Sequence, residues 1–450
     1  MAKISNIPIE RQDTKIILLE NFIHNGKNLQ RRREQKMKEI QRPNYLQQLL
    51  DKRENGLIKV ITGIRRCGKS YLLDPIFKNA LLGNGVAPDH IIKIELDRES
   101  SVRFHHDSHA LDQYIHSLIH DNEMHYLILD EIQLVDGFEW LLNGLLYEKN
   151  IDIYVTGSNS RFLSSDIITE FRGRGDQVRI HPLSFCEYYS AALGDKNESL
   201  NEYLTYGGLP PVMAQKGDMG KSRYLTDLFS QTYLKDIVAR NRVQRTDILD
   251  ALVYMLASAV GSLTNPQKLF DTFKSKGEKE LSLGTLNSYL SHLENAFIVE
   301  KTMKYDVKGK KYIGTPFKFY FEDLGLRNAK LNFRQQEETH LMENVIYNEL
   351  VIRGYNVDVG IVTLREEQKR IQTEVDFVCN AGNQRYYVQS ALNLSGEEKT
   401  DQEMRPLRHI PDSFKKIIVV RNQIKPWRTD DGFLVVGLID FLLNQNSLNL

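Results

Sequence analysis

The chain has 450 residues, and length alone suggests about three domains. Its 59 Lys and Arg balance 59 Asp and Glu, so no global field draws it to nucleic acid or membrane, and such binding must come from local patches. Hydrophobic residues at 41% and charged residues at 26% are ordinary for a soluble globular protein, and three scattered cysteines (Cys67, Cys186, Cys379) match no zinc spacing and predict free thiols in a reducing cytosol.

The opening "MAKISNIPIERQDTK" is too polar for a secretory signal. "KNLQRRREQKMKEIQR" (27–42) has the pattern of a basic helix, either a solvated face or a surface for nucleic acid or an acidic partner. Residues 1–45 are set apart as a basic extension. From residue 46 to 198, short apolar runs near 57–62, 91–96, 126–130, 152–156 and 177–180 alternate with helical patterns. This alternation predicts an α/β domain with a parallel sheet covered by helices on both faces. Ligands on such a sheet bind at the carboxyl ends of the strands.

The first run, "LIKVIT", is followed by Gly63-Ile64-Arg65-Arg66-Cys67-Gly68-Lys69-Ser70, which fits G-x-x-x-x-G-K-[ST]. The helical run from Ser70 and Tyr71 onward holds Pro75, which predicts an early bend. Strand, glycine loop and helix together make a phosphate cradle. Gly63 and Gly68 free the backbone to turn its N–H groups toward phosphate oxygens, and the helix N-terminus adds positive partial charge. Lys69 can reach the terminal phosphates, and the Ser70 hydroxyl can bind Mg²⁺. Residues 63–71 are therefore the candidate nucleotide-binding loop.

"HYLILDEIQ" (125–133) is an apolar strand ending in two carboxylates. Asp130 suits the Mg²⁺ shell, and Glu131 can polarise an attacking water. "IDIYVTGSNS" (151–160) is another strand, and its polar end brings Thr156, Ser158 and Asn159 toward the same edge. Asn159 can orient that water, or it belongs to an ordinary polar turn.

"TGIRRCGKS", "YLILDEIQ", "RGRGDQVRIHPLSFCEYY" and "YLTYGGLPPVM" resemble the AAA-type ATPases that carry a C-terminal PD-(D/E)XK-like domain of unknown function. The resemblance implies a P-loop NTPase core of the AAA type, a helical lid, a winged-helix segment and a small α/β nuclease-like domain. It implies ATP and Mg²⁺ as ligands and a homo-oligomer as the assembly. It makes Glu131 the catalytic base and Asn159 the sensor residue. Arg172 and Arg174 in "FRGRG" become arginine-finger candidates for a neighbouring subunit's γ-phosphate. A surface arginine paired with Asp176 or Glu170 is the competing view.

Residues 199–246 read as the lid, broken sharply at Gly207-Gly208 and Pro210-Pro211. Arg240 there is either a phosphate-sensing arginine or a helix C-terminal cap or salt-bridge partner. Residues 247–325 read as three helices and a hairpin turning at Lys308-Gly309, which is a winged-helix order. The exposed positions of its third helix (Thr285, Asn287, Ser288, Ser291, His292) hold no Lys or Arg. The hairpin holds Lys301, Lys304, Lys308, Lys310 and Lys311, a patch that makes DNA a candidate partner beside protein packing. Residues 326–450 are the nuclease-like part. Glu343 and Asp376 suit the acidic positions of a PD-(D/E)XK site, and Glu374 lies beside them. The next strand reads Gln389-Ser390-Ala391, so Ala391 stands where the lysine is required. This predicts a nuclease-like fold without cleavage. The apolar tail "FLVVGLIDFLLN" is too short to cross a bilayer and carries Asp440, so it predicts a buried strand and helix in a cytoplasmic protein with no membrane partner.

Overall fold

β1 (Ile58–Thr62), β2 (Ile91–Glu95), β3 (His125–Asp130), β4 (Ile151–Thr156) and β5 (Gly175–Arg179) form one sheet in the order β2-β3-β4-β1-β5 in this computed structural model. Every pairing within it is parallel. Parallel sheets are covered on both faces, so their strands read as continuous apolar runs. β1, β3 and β4 are accordingly buried along their whole length. On one face Ile92, Leu127, Leu129 and Val155 pack with Leu111, Ile115, Leu141 and Leu142 of helices Ser108–Leu118 and Phe138–Leu145. This is a P-loop NTPase fold, with strand ends within one or two residues of the expected ones. The structure describes residues 39–157, 171, 173–334, 337–366 and 369–450. Asn159, Arg172 and residues 27–38 of the basic run lie outside the described residues.

The segment expected to be a lid is helical: Lys196–Tyr206, Pro210–Met213, Gly217–Leu228, Phe229–Leu234 and Lys235–Asn241. Its glycine break is a docking point. A Cβ on Gly207 would lie 2.2 Å from the Asp323 carboxylate, and one on Gly208 would lie 2.3 Å from the Leu183 carbonyl. Asp323 caps helix Leu324–Lys330 by accepting from Leu326 N–H at 3.0 Å, and it also accepts from Gly208 N–H at 2.7 Å. Asn328 donates to the Leu204 and Thr205 carbonyls, both at 2.9 Å, and Arg327 Nε donates to the Ala257 carbonyl at 2.9 Å. "EDLGLRNA" (322–329) thus ties the lid to the segments that follow. The expected domain boundary at 325/326 falls inside it.

Helices Thr246–Ser258, Pro266–Ser275 and Leu283–Asn295 lead into β6 (Val299–Asp306) and β7 (Lys311–Phe321), and Thr264 bridges to Phe317 of β7. The helix and hairpin order matches expectation. The hairpin, however, does not stand free as a wing. With β8 (Asn356–Glu366), β9 (Lys369–Ala381), β10 (Gln384–Ala391), β11 (Lys415–Val420), β12 (Trp427–Arg428) and β13 (Leu434–Gly437) it makes an eight-stranded sheet ordered β12-β13-β11-β10-β9-β8-β6-β7. Lys304–Asp306 pair in parallel with Val359–Ile361. This pairing puts Lys304 at 5% exposure, so it drops out of the basic patch. Lys301, Lys308, Lys310 and Lys311 remain exposed. No helix among the described residues is long and apolar enough to cross a membrane.

An ionic cluster joins this sheet to the first. Arg179 of β5 donates to Glu300 of β6 at 2.9 and 2.5 Å and to Glu322 at 2.8 Å, and His181 Nδ1 lies 2.6 Å from Glu322. Burial alone would raise the Glu322 carboxyl, but Arg179 and His181 outweigh it and pull it down to about 2. A folded value below the unfolded one means that Glu322 stabilises above pH 4.5 and that this contribution is lost as pH falls toward 2. Asp323 has the opposite sign. Burial pushes it up to about 6 against its N–H bonds, so its contribution is lost as pH rises from 3.8 through 6. Glu322→Gln is expected to destabilise by about 3–5 kcal/mol at neutral pH, the loss from breaking a buried charge pair. Urea unfolding across pH should show the difference from wild type shrinking below pH 4.5. A constant difference would dissociate Glu322 from that acid limb.

Candidate functional site

The loop after β1 is shaped by backbone that ordinary side chains resist. Gly63 has φ 139°, Arg66 φ 66° and Gly68 φ 103°. A Cβ on Gly63 would sit 2.0 Å from the Ile180 carbonyl of the segment after β5, so no side chain fits there. Ile64 and Cys67 are buried as anchors, and Cys67 Sγ donates to the Ile180 carbonyl at 3.4 Å. Arg65, Arg66, Ser70 and Tyr71 face solvent. Lys69 is buried, and its Nζ donates to the Gly63 carbonyl at 3.0 Å and to that of Ile64 at 3.3 Å. The following helix leaves helical geometry at Asp74 (φ −144°, ψ 111°), directly before Pro75, where the bend was expected.

Arg42 braces the loop from behind, a role the sequence reading missed. It is 3% exposed, donates to the Cys67 carbonyl at 3.1 Å and to that of His181 at 3.0 Å, and forms a fork with Glu187 at 3.1 and 3.0 Å. Its guanidinium lies 4.5 Å from the centre of the Tyr45 ring. Glu187 is held by a capping box with Ser184. The available signal was an arginine directly before the proline that opens helix Pro43–Asp51.

The carboxylates of β3 arrive beside this loop. Asp130, 7% exposed, accepts hydrogen bonds from the Thr156 hydroxyl and the Ser70 hydroxyl. Burial raises its carboxyl above the usual range, with Glu131 and Asp97 adding to the push, and the two hydroxyl bonds oppose it. Thr156 Oγ1 also accepts from Glu131 N–H at 3.1 Å, so one hydroxyl at the end of β4 fixes both acidic positions. Glu131 sits at φ 57°, a left-handed conformation uncommon outside glycine and concentrated at functional sites. Gln133 Nε2 donates to its carboxylate. The residues expected to hold Mg²⁺, Ser70 and Asp130, are thus in direct contact. The Lys69 ammonium, the Ser70 hydroxyl and the buried Asp130 carboxylate are a donor set that fits a magnesium–triphosphate.

Helices Gly217–Leu228, Phe229–Leu234 and Lys235–Asn241 touch the same loop. Tyr233 donates to the Arg65 carbonyl at 2.6 Å, Arg65 to Asp236 at 2.5 Å and Arg66 to the Tyr224 hydroxyl at 3.0 Å. Arg240 lies 3.9 Å from Asp236. Burial lowers its affinity for a proton, Arg65 lowers it further, and Asp236 and Glu131 oppose this. Arg240 is thus ion-paired, as one of its readings expected, and lies within the field of Glu131. Arg174 is elsewhere. Its carbonyl accepts from Ile58 N–H at 2.9 Å at the start of β1, and its guanidinium lies 5.6 Å from the Tyr147 ring centre. That is the edge opposite its own phosphate loop.

The C-terminal acidic residues also converge. Lys318 of β7, 3% exposed, has its Nζ 2.7 Å from Glu343, 2.5 Å from Glu374 and 4.0 Å from Asp376. Tyr320 donates to Glu343 at 2.6 Å, and Ser390 N–H to Asp376 at 2.8 Å. Gln389 accepts from Asp376 N–H at 3.4 Å and donates to Glu403 at 3.0 Å. Burial pushes Asp376 well above the carboxylate range, Glu343 adds to it, and Lys318 opposes it. Ala391 is a buried apolar residue, yet a lysine is present, delivered from the hairpin.

Three family models match the chain in sequence: an AAA domain over residues 55–189, a domain of unknown function (DUF8612) over 197–337 and another (DUF4143) over 338–441. An uncharacterized protein of Haemophilus influenzae is 34% identical over 410 residues, covering 90% of this chain and 98% of that protein. An uncharacterized protein of Methanocaldococcus jannaschii is 25% identical over 358 residues, 76% of each chain. Among solved structures, the chain is similar to the Walker-type ATPase of Pyrococcus abyssi at 16% identity and TM-score 0.44, covering 65% of this chain and 96% of that one. It is also similar to the Orc1 protein of Aeropyrum pernix, solved in complex with DNA, at 13% identity and TM-score 0.27, covering 66% and 93%.

Proposed function

The chain belongs to the same family as the Haemophilus influenzae protein, with its AAA domain, and from that premise we propose that it is a Mg²⁺-dependent ATPase that couples nucleotide state to assembly or partner binding. The observation that carries this reading is the contact of Ser70 with Asp130, beside Lys69 and Glu131. The backbone N–H groups of residues 63–70 bind the phosphates, and Lys69 turns from the Gly63 carbonyl to the terminal phosphate oxygens. Ser70 and Asp130 would hold Mg²⁺, which supplies charge neutralisation across those oxygens when bound. Glu131 accepts the proton of the attacking water, and Thr156 keeps its backbone in place. Asn159 remains the proposed sensor and Arg172 a finger candidate by position in the sequence.

We assign Arg174 to catalysis between copies of the chain. It is exposed on the sheet edge away from its own loop, so a phosphate it meets belongs to a neighbour. An arginine finger supplied by a neighbour is worth about 10³–10⁵ in turnover. The specific ATPase rate is therefore expected to rise with protein concentration, and Arg174→Ala to flatten that rise. The same assay with duplex DNA tests the lysine patch. A low-salt stimulation that weakens when Lys308, Lys310 and Lys311 are neutralised supports DNA as the partner. A rate independent of concentration removes the role of Arg174.

For the C-terminal cluster the proposal is a nuclease-like site that does not cleave. The Lys318 ammonium already occupies the space between Glu343, Glu374 and Asp376 and offsets part of their charge. The ATP-gated nuclease reading requires a divalent cation among those carboxylates. Mn²⁺-dependent nicking of plasmid by wild type, lost in Asp376→Ala, would establish it.

A further inference from the structure

The opposite edge of the first sheet holds a second group of ligating side chains that the ATPase reading does not use. The parallel register pairs Ile91 with Tyr126, so the residues directly before them, His90 and His125, stand side by side at the entries to β2 and β3. His120 arrives from the loop ahead of β3. The ring centres of His90 and His125 are 4.6 Å apart, those of His90 and His120 5.3 Å, and those of His120 and His125 5.4 Å. One nitrogen from each ring lies within 4.8 Å of the other two.

Each ring has a defined hydrogen-bonding or ionic partner. His125 is fully buried, and its Nδ1 lies 2.8 Å from the Glu123 carbonyl. That contact puts the proton on Nδ1 and leaves the Nε2 lone pair free. His125 Nε2 is buried and has no hydrogen-bond partner among the described residues. An imidazole tied to a carbonyl through one nitrogen and bare at the other is the arrangement of a metal ligand. Two carboxylates complete the surroundings. Asp121 lies 3.0 Å from His90 Nε2 and 3.8 Å from His120 Nε2, and Asp89 lies 3.2 Å from His120 Nε2. Asp121 is itself positioned by accepting Glu123 N–H at 2.9 Å.

We propose that His90, His120 and His125, with Asp121 as the fourth donor, bind a first-row divalent transition cation of the zinc type. Three imidazoles and a carboxylate suit zinc in tetrahedral geometry, with Zn–N near 2.0–2.1 Å. Magnesium, which takes oxygen donors, is a poor match for this set. A cation here is separate from the magnesium of the phosphate loop, because these residues lie at the amino ends of the strands. It would staple the entry of edge strand β2 to that of β3.

The test uses the full-length, metal-free protein titrated with ZnCl₂ against a chromophoric chelator, in the absence of ATP. One equivalent is expected to bind in wild type, with loss of at least about tenfold in affinity for His120→Ala and loss of the site in His90→Ala/His120→Ala. His120 is exposed, so its removal leaves the core intact. Co²⁺ substituted for zinc should give the intense visible absorption of a tetrahedral complex in wild type and not in the double variant. Zinc should also raise the unfolding midpoint of wild type by several degrees and leave that of the double variant unmoved. Equal zinc uptake by wild type and the double variant, or none by wild type at 100-fold excess of metal, overturns the proposal. ATP binding in Mg²⁺ is expected to be the same in both proteins, which separates this result from any failure of the nucleotide site.

Discussion

Glu131→Gln is expected to keep ATP affinity within a few-fold of wild type and to lower turnover by about 10²–10⁴, the span attributed to a positioned general base. Glutamine preserves the length of the side chain and an oxygen that can still accept from Gln133 Nε2. It also keeps the main-chain bond from residue 131 to Thr156, so the Asp130 carboxylate stays where it is. What it removes is the capacity to take a proton. Lys69→Ala is the matching control and should fail earlier. Its ammonium is the buried cation of the loop, so its loss is expected to abolish measurable ATP binding at micromolar nucleotide. Equilibrium binding of a fluorescent ATP analogue and steady-state phosphate release distinguish the two. Unchanged release by Glu131→Gln would place the base elsewhere.

Lys318→Met is expected to destabilise the protein by about 3–5 kcal/mol at neutral pH, the usual loss when one partner of a buried charge cluster is removed. The methylene stem is retained, so the loss reports charge rather than volume. Without the ammonium, Glu343 and Asp376 remain buried with the Tyr320 hydroxyl and the Ser390 N–H as their hydrogen-bond donors among the described residues. The sign of the pH dependence follows. Burial already raises Asp376, and removal of its cation raises it further, so protonation relieves the variant as pH falls. Urea unfolding at pH 7 and pH 5 should therefore show the gap to wild type closing at the lower pH. Mn²⁺ should restore part of the loss in the variant and have no effect on wild type. A loss under about 1 kcal/mol would remove Lys318 as the counter-ion of the cluster.

Much of the nucleotide site was legible because its determinants are local. The spacing of Gly63, Gly68, Lys69 and Ser70 and the apolar run before them point to strand, loop and helix within 14 residues, and the fold has them in that order. Asp130 and Glu131 could be found because a strand ending in acids is a local pattern too. What stayed hidden depends on pairing across the chain. Arg42 meets Cys67 and Glu187, and nothing near residue 42 announces partners 25 and 145 positions away. Lys318 lies in the hairpin and its carboxylates come from a different part of the chain, so nothing near residue 318 announces the cluster. The buried run Glu322, Asp323, Arg327 and Asn328 straddles the expected boundary at 325/326, and its partners Gly208, Ala257 and Leu204 lie far away in sequence. His90, His120 and His125 have no motif spacing, and parallel register alone brings them together.

The continuous sheet through β6 and β8 has a bearing on inheritance. The lysine of the acidic cluster is carried on one side of residue 338 and all three of its carboxylates on the other. Recombination that exchanged residues 338–450 with those of a distant relative would set Lys318 against carboxylates it did not diverge with, and would give β6 a foreign register partner. The two stretches are therefore constrained to diverge together, so a homologue with a neutral residue at position 318 should carry compensating losses at 343, 374 or 376.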